Sequence, residues 1–178
     1  DCHIYNCYLY RKFAASNFKH TIMKNTFSYV RIVILSLVLS FVSLPTYAQK
    51  HSYIEKNKTL AENLSTKYGI PSSIILAIAF VESGGGSSKN SKALNNHFGI
   101  VGKNNIGSKY KQFSSTEESY EAFCKLLTKK NYYTSLKGND DFSSWVKAIA
   151  SAGYSTQPQE WMRRINLIFN KYQLKETN

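Results

Sequence analysis

The residue of this sequence whose type and position could most directly carry chemistry is Glu82. It follows an unbroken apolar run over residues 74–81 and precedes Ser83 and three consecutive glycines. Because an ionised carboxyl loses hydration in an apolar setting, burial there would raise the pKa of Glu82. A carboxyl that stays protonated near neutral pH can donate a proton, for example to the leaving oxygen of a glycosidic bond. The position makes Glu82 a candidate general acid, and a solvated glutamate at a helix end is the ordinary alternative.

The segments around Glu82 predict how it is held. A run that is apolar almost all round indicates a buried central helix from Ser72 to about Ser83, with Pro71 suited to its first turn. From Lys58 onward, apolar residues at intervals of three and four predict an amphipathic helix that stops at Gly69. Beyond the three glycines, residues 97–113 contain further glycines and an Asn-Asn pair, which are typical of turns. This pattern predicts a small β-hairpin or β-lobe.

The C-terminal half is predicted to be helical. Ser115 and Glu118 have capping-box spacing and open one helix, and a short helical segment follows around residues 132–136. Another helix is expected over residues 142–152, and Pro158 begins the last one. About six helices and one small antiparallel element give a mainly α fold, or α+β with a minor sheet.

The chain has 178 residues, which suits one domain of ordinary size. Residues 23–48 have two basic residues, a low-charge apolar run and a small-residue site ending at Ala48, the pattern of a secretory signal peptide. The run is shorter than the ~20 residues that span a bilayer, so cleavage is expected rather than a stable anchor. The sequence therefore predicts four parts of the chain. They are an upstream segment translated in error or disordered (1–22), a signal peptide (23–48), a linker (49–57) and the domain (58–178).

Charge and cysteine content narrow the classes of partner. Without residues 1–48 the chain keeps 18 basic and 10 acidic residues, a net charge of +8, which favours a polyanionic partner. For an exported protein, a cell wall with its carboxylates and phosphates fits better than nucleic acid. Cys124 is the one cysteine left, and its apolar neighbours indicate a buried thiol. No Cys or His pair has metal-ligand spacing, so no metal and no other cofactor is expected.

Motifs in a fixed order suggest a family. They are Glu-Ser-Gly at 82–84, Asn-Asn-His-Phe-Gly-Ile at 95–100 and Ala-Gly-Tyr-Ser-Thr at 152–156. Together they resemble the glucosaminidase family of bacterial autolysins, glycoside hydrolase family 73, over about residues 68–172. Lytic transglycosylases share the first motif but typically carry a Gly-Leu-Met-Gln type segment instead of the second. The resemblance implies a lysozyme-like fold and an endo-β-N-acetylglucosaminidase that cuts the glycan strands of peptidoglycan.

The resemblance also implies roles for matching residues near the reacting bond. Glu82 would be the general acid. Tyr154 would be a catalytic tyrosine near the reacting sugar, where it would help stabilise charge on the N-acetyl group or the ring. Thr156, in the same motif, would contact substrate.

The second motif implies a wall of the substrate groove. Asn95 and Asn96 would order the loop and form hydrogen bonds near the site. Phe98 would pack beneath the groove, although a core aromatic explains it equally well, and Gly99 would contact substrate.

The sequence departs from the family in one respect. Several members carry a second catalytic glutamate in the β-lobe, whereas residues 98–113 contain no Asp or Glu. The nearest carboxylates, Glu117 and Glu118, are candidates for that group, but their capping-box positions favour a helix-start role. With one acid, the substrate's own 2-acetamido oxygen could attack the anomeric carbon while Glu82 protonates the leaving group.

The same residues are also compatible with other functions. A lytic transglycosylase or a muramidase would use the same acid on a different bond or with a different product. A non-catalytic peptidoglycan-binding module is the alternative from another class, because the lobe lacks a carboxylate. In each case we expect an exported monomer, periplasmic or secreted and associated with the cell wall, that binds peptidoglycan strands and neither nucleic acid nor, after signal cleavage, a membrane.

Overall fold

The structure is a computed structural model that describes residues 51–174. The predictions for residues 1–48, including the signal peptide, lie outside the described residues. The described part is mainly helical with very little strand, which confirms the predicted class. Its helices, numbered here in chain order, are α1 (Ser52–Tyr68), α2 (Ser72–Ser83), α3 (Lys89–Leu94), α4 (Thr116–Thr128), α5 (Tyr133–Leu136), α6 (Phe142–Ser151) and α7 (Pro158–Tyr172). None of them is long and apolar enough to cross a bilayer.

Helix α2 is the centre of the fold, as the apolar run predicted. All of its residues are buried except Phe80 and Glu82. Helices α1, α4, α6 and α7 pack against it. Gly84 ends the helix in the left-handed conformation (φ 59°), with its N–H bonded to the Phe80 carbonyl. The helix therefore carries Glu82 out of the core at its last turn.

The predicted linker over residues 49–57 is wrong from Ser52 onward, because α1 begins there. His51 precedes the helix, and its Nδ1 accepts a hydrogen bond from the Tyr53 N–H at 3.2 Å. Tyr53, Ile54 and Asn57 are buried against the rest of the domain. These residues continue the three- and four-residue spacing of α1 toward the N-terminus, but charged neighbours interrupt the pattern in the sequence.

The predicted β-lobe is present as one antiparallel bridge, between Val101 and Tyr110. Backbone hydrogen bonds on either side, such as Lys111 N–H to the Ile100 carbonyl at 2.7 Å, extend the pairing. The Asn104 side chain holds the turn, because it donates to two carbonyls of the lobe and accepts from two N–H groups. The lobe is thus a short, side-chain-braced loop rather than a sheet.

Two helix starts in the C-terminal half confirm the sequence signals. Ser115 caps α4, with its Oγ accepting from the Glu118 N–H at 3.2 Å, and Pro158 lies in the first turn of α7. Helix α4 buries Cys124 completely, and burial raises the pKa of its thiol to about 12. The predicted buried thiol is therefore confirmed.

Candidate active site

Glu82 lies where α2 leaves the core, and the glycines after it make this turn possible. Gly84, Gly85 and Gly86 all have positive φ, a conformation that is costly for other residues. A Cβ on Gly86 would lie 2.7 Å from the Tyr53 ring, so a side chain there would collide with α1. The Gly86 N–H is bonded to the Ser83 Oγ at 2.9 Å, which closes the turn. The tight turn leaves the Glu82 side chain half-buried at the edge of the helical body.

The environment of Glu82 favours its protonated form. Burial raises the pKa of its carboxyl above the ordinary range, while two groups oppose this. Trp161 donates a hydrogen bond from Nε1 to Glu82 Oε1 at 2.7 Å, and the charge of Arg164 acts in the same direction as that bond. Burial is the largest effect, so the net pKa is raised. Glu82 is thus fixed in orientation by the Trp161 bond, and its raised pKa favours the protonated form that a general acid needs.

A cleft of about 690 Å³ opens beside Glu82. Its wall combines the end of α2, the β-lobe, the end of α4 with the following loop, and the segment after α6. Glu82 is the only carboxylate among its described lining residues. These residues are Glu82, Phe98, Gly99, Ile100, Val101, Lys109, Tyr110, Leu126, Lys130, Tyr132, Ile149, Ala152, Gly153, Tyr154, Ser155 and Thr156.

Tyr154 joins the helical body to the lobe across this cleft. Its hydroxyl donates to the Phe98 carbonyl at 2.9 Å, and its ring contacts Trp161 with centroids 5.4 Å apart. Burial, followed by the nearby charges of Glu82 and Tyr132, raises the pKa of Tyr154 well above its ordinary value. The phenol therefore stays protonated at any physiological pH and cannot act as a base.

Three other predicted site residues also line the cleft. Phe98 is 2% exposed and stacks on Phe123 with centroids 4.2 Å apart, so it supports the groove from below. Gly99 has a positive φ of 66°, and a Cβ there would lie 3.7 Å from Glu82 Oε2. Thr156 contributes an exposed side chain at the far end of the segment that holds Tyr154.

Asn95 and Asn96 do not line the cleft, so the structure gives them a different role from substrate contact. Asn96 is 1% exposed and its side chain makes four hydrogen bonds to the lobe backbone. Asn95 ends α3 with a positive φ of 50°, and its amide donates to the carbonyls of Phe113 and Ser114. Both side chains order the lobe through hydrogen bonds to its backbone, which is the loop-ordering role expected from the sequence.

Glu117 and Glu118, the candidates for a second carboxylate, are not among the residues that line the cleft. The Glu118 carboxylate accepts from the N–H of Ser114 at 2.7 Å and from the Ser114 hydroxyl at 2.6 Å. These bonds lower the pKa of Glu118, and hydrogen bonds to its own N–H and to Ser115 lower that of Glu117. Both are helix-start groups, because the N-terminus of α4 attracts negative charge.

Sequence reasoning missed several residues of the site. Trp161, the hydrogen-bond donor to Glu82, is 79 residues away in the chain and sits on the core face of α7. Tyr110, Tyr132 and the two lysines of the cleft also went unnoticed. No local pattern in the sequence identifies these residues. Only Trp161, one turn after Pro158 in a predicted helix, could have been suspected as a hydrogen-bond donor to a buried acid.

No group of three or more His, Cys, Asp or Glu side chains within residues 51–174 is arranged to hold a metal ion. The two described histidines are occupied otherwise. His51 caps α1, and the buried His97 pairs through Nδ1 with the Tyr53 hydroxyl at 2.8 Å.

The chain is similar to a curated bacterial glucosaminidase. Exo-glucosaminidase LytG of Bacillus subtilis (strain 168) is 26% identical over 152 residues, which are 72% of this chain and 53% of that protein. The chain thus spans about half the length of this curated relative.

Solved structures share the fold. The catalytic domain of the autolysin Auto from Listeria monocytogenes aligns with a TM-score of 0.55 and 21% identity, over 79% of this chain and 94% of that one. The peptidoglycan hydrolase from Sphingomonas sp. A1 aligns with a TM-score of 0.57 and 20% identity, over 69% and 89%.

A family model described as mannosyl-glycoprotein endo-beta-N-acetylglucosaminidase matches residues 58–174, which is more than half of the chain. This match contains Glu82, the lobe and Tyr154, and so covers the cleft described above. The chain belongs to the glucosaminidase family, glycoside hydrolase family 73.

Proposed function

We propose that this protein is a peptidoglycan hydrolase, an endo-β-N-acetylglucosaminidase that cleaves glycan strands with Glu82 as the general acid. The observation that carries the proposal is the half-buried Glu82 carboxyl, whose pKa is raised and which lies in a cleft of about 690 Å³. Family membership supports the same reaction class, and the names of the related proteins support the same substrate.

The single carboxylate of the cleft favours a substrate-assisted reaction. In the first step the carbonyl oxygen of the 2-acetamido group bonds to the anomeric carbon, the bond to the leaving oxygen breaks, and Glu82 gives that oxygen its proton. An oxazolinium ion remains on the sugar. In the second step water attacks the anomeric carbon, the bond between this carbon and the acetamido oxygen breaks, and the Glu82 carboxylate takes a proton from the water, which restores both the acetamido group and the acid.

The neighbours of Glu82 suit this cycle. The indole of Trp161 can stabilise the carboxylate formed after proton transfer, because its hydrogen bond to Oε1 is stronger when the acceptor is charged. The Tyr154 hydroxyl donates a hydrogen bond to the Phe98 carbonyl, and the phenol oxygen can still accept a hydrogen bond from the acetamido N–H. Such a contact would turn the acetamido oxygen toward the anomeric carbon.

The test of the proposal is the Glu82→Gln variant on purified peptidoglycan. Glutamine keeps an oxygen for the Trp161 bond but has no proton to donate, so release of reducing ends should fall by about two to four orders of magnitude. Glu160→Gln is the matched control, because Glu160 is an exposed glutamate that pairs with Arg163. A Glu82→Gln protein that cleaves at the wild-type rate would end the proposal.

Mass spectrometry of the fragments identifies the bond and the mode of attack. A reducing N-acetylglucosamine end on fragments of several lengths supports endo cleavage, whereas release of short terminal units would match the exo activity in the name of the Bacillus subtilis relative. A reducing muramic acid end would indicate a muramidase, and an anhydro-muramyl end a lytic transglycosylase. Retention of the β configuration, followed by NMR, tests the substrate-assisted route.

The rival from another class is a wall-binding module without activity. Binding to intact sacculi without any release of fragments would favour it. Action on peptidoglycan also requires export, so we propose that the protein works as a monomer in the periplasm, at the cell wall or outside the cell. Fractionation of cells and the elution volume of the purified protein test these two points.

A further inference from the structure

The charged groups of the cleft are unbalanced. Two lysines, Lys109 and Lys130, line it together with one acid, Glu82. The two lysines outnumber the one acid, so the cleft is cationic whether Glu82 is ionised or neutral. Neither lysine has an ion-pair partner within residues 51–174, so both positive charges face solvent or ligand.

The two lysines come from different parts of the cleft wall. Lys109 precedes the bridge residue Tyr110 in the lobe, and its Nζ lies 5.2 Å from the centre of the Tyr110 ring. Lys130 follows the end of α4. Their close sequence neighbours Lys111 and Lys129 are not part of the lining. Positive charge is therefore directed into the cleft at two separate points.

The sugar units of a peptide-bearing strand give these lysines nothing to pair with, because N-acetylglucosamine is uncharged and the lactyl carboxyl of each substituted muramic acid is bound to its peptide as an amide. The peptide side chains attached to the muramic acid units of peptidoglycan, in contrast, carry free carboxylates. A groove with low-dielectric walls concentrates the field of the charges that line it, which favours anionic ligands.

We infer that Lys109 and Lys130 bind carboxylates of the peptide side chains, so that the protein selects peptide-bearing glycan strands over uncharged ones. The inference rests on the proposed function and adds to it a determinant of specificity. Both lysines are exposed and should contact carboxylates away from the bond that breaks. Their contribution is then equal in the ground and transition states and changes KM rather than kcat.

The test uses soluble peptidoglycan strands in two forms, one native and one with its carboxylates amidated by methylamine. Amidation removes the charge and keeps the peptide. Because an exposed ion pair contributes modestly, two such pairs should give the wild type roughly a threefold to tenfold preference for the native strands in kcat/KM. Half-molar salt should remove most of that preference.

Two double variants test whether Lys109 and Lys130 cause the preference for native strands. The double variant Lys109→Gln/Lys130→Gln should lose the preference through a higher KM on native strands, with a larger fall in kcat/KM on native strands than on amidated ones. The matched control, Lys111→Gln/Lys129→Gln, removes the same charge from the same two parts of the chain outside the cleft and should keep the preference.

The outcomes separate the two proposals. Failure of the wild type to cleave either form would refute the proposed function. Equal cleavage of both forms by an active wild type, or equal losses in the two double variants, would overturn the inference about the lysines and leave the proposed function standing.

Discussion

Replacement of Trp161 by phenylalanine should move the pH dependence of the reaction. In the structure the Trp161 indole donates to Glu82 Oε1 at 2.7 Å, and this bond lowers the pKa of a carboxyl that burial raises. Phenylalanine keeps an aromatic ring beside Tyr154 but removes the donor. The pKa of Glu82 in the variant should therefore rise further, and the acid should stay protonated to a higher pH.

The size of the effect follows from the strength of the bond. A hydrogen bond to a charged group contributes about 1.5–3 kcal/mol, and partial exposure of Glu82 places the value near the lower limit. Since about 1.4 kcal/mol corresponds to one pH unit, the alkaline limb of the profile should shift upward by about one unit. The acidic limb should not shift in the same way, because a general acid loses activity only as pH rises through its pKa.

The assay is the pH dependence of kcat/KM on soluble peptidoglycan strands, which reports groups of the free enzyme. Trp145→Phe is the control, because its indole is fully buried and donates at 2.8 Å to the Asn139 carbonyl, away from Glu82. It should lose stability without a shift of the profile. An alkaline limb at the wild-type pH in Trp161→Phe, or the same shift in both variants, would refute the assignment of Trp161 as a positioning residue.

Three further predictions concern stability and the role of the helix-start acids. Because folding raises the pKa of Glu82, its stabilising effect is present below the unfolded value near 4.5 and is lost as pH rises through the folded one. Glu82→Gln should thus have a higher Tm than the wild type at pH 8 and a similar Tm at pH 4, in a thermal melt at each pH. Asn96→Ala removes four hydrogen bonds and leaves three backbone groups of the lobe without a partner, since the Ile100 carbonyl still accepts from the Lys111 N–H. The free energy of unfolding should fall by about 2–4 kcal/mol in urea titrations, whereas a loss under 0.5 kcal/mol would contradict the bracing role. Glu118→Ala should lower Tm slightly with unchanged kcat/KM, and a large fall in kcat would restore its candidacy as a catalytic group.

The elements that the sequence predicted well are those with strong local signals. The continuous apolar run identified α2, and the capping residue Ser115 and the proline at 158 marked the starts of α4 and α7. Each signal depends on a few neighbouring residues, so tertiary contacts were not needed to interpret it. The same is true of Gly84, whose type alone indicated where α2 ends.

The elements that were missed have weak local signals. The first turn of α1 is capped by His51, which is not among the preferred capping residues, and its buried positions alternate with charged ones. Helix α3 has six mostly polar residues and buries only Ser91 and Leu94. The first turn of α1 packs its buried residues against distant parts of the chain, and such contacts are absent from a local pattern. Helix α3 is held by its caps, Ser88 and Asn95, within a polar stretch that has no apolar periodicity.

The residues of the candidate site also fall into those that the sequence indicated and those that it did not. The motifs identified Glu82 and Tyr154, and the structure brings both to one cleft. Asn95 and Asn96, from the motif at residues 95–100, act through the lobe backbone instead, because their side-chain amides donate to backbone carbonyls rather than facing the groove. Trp161 joins the site only through the packing of α7 against α2, so no spacing in the sequence could indicate it.

The fully buried Cys124 gives the protein an internal reporter of unfolding. Its thiol is the one cysteine within residues 51–174, it lies in the middle of α4, and its pKa of about 12 keeps almost none of it as thiolate at neutral pH. A thiol reagent can therefore react only when α4 separates from the core. With Cys2 and Cys7 replaced by serine, the rate of labelling by such a reagent should measure opening of the domain directly, at a native cysteine and without a change in the cleft.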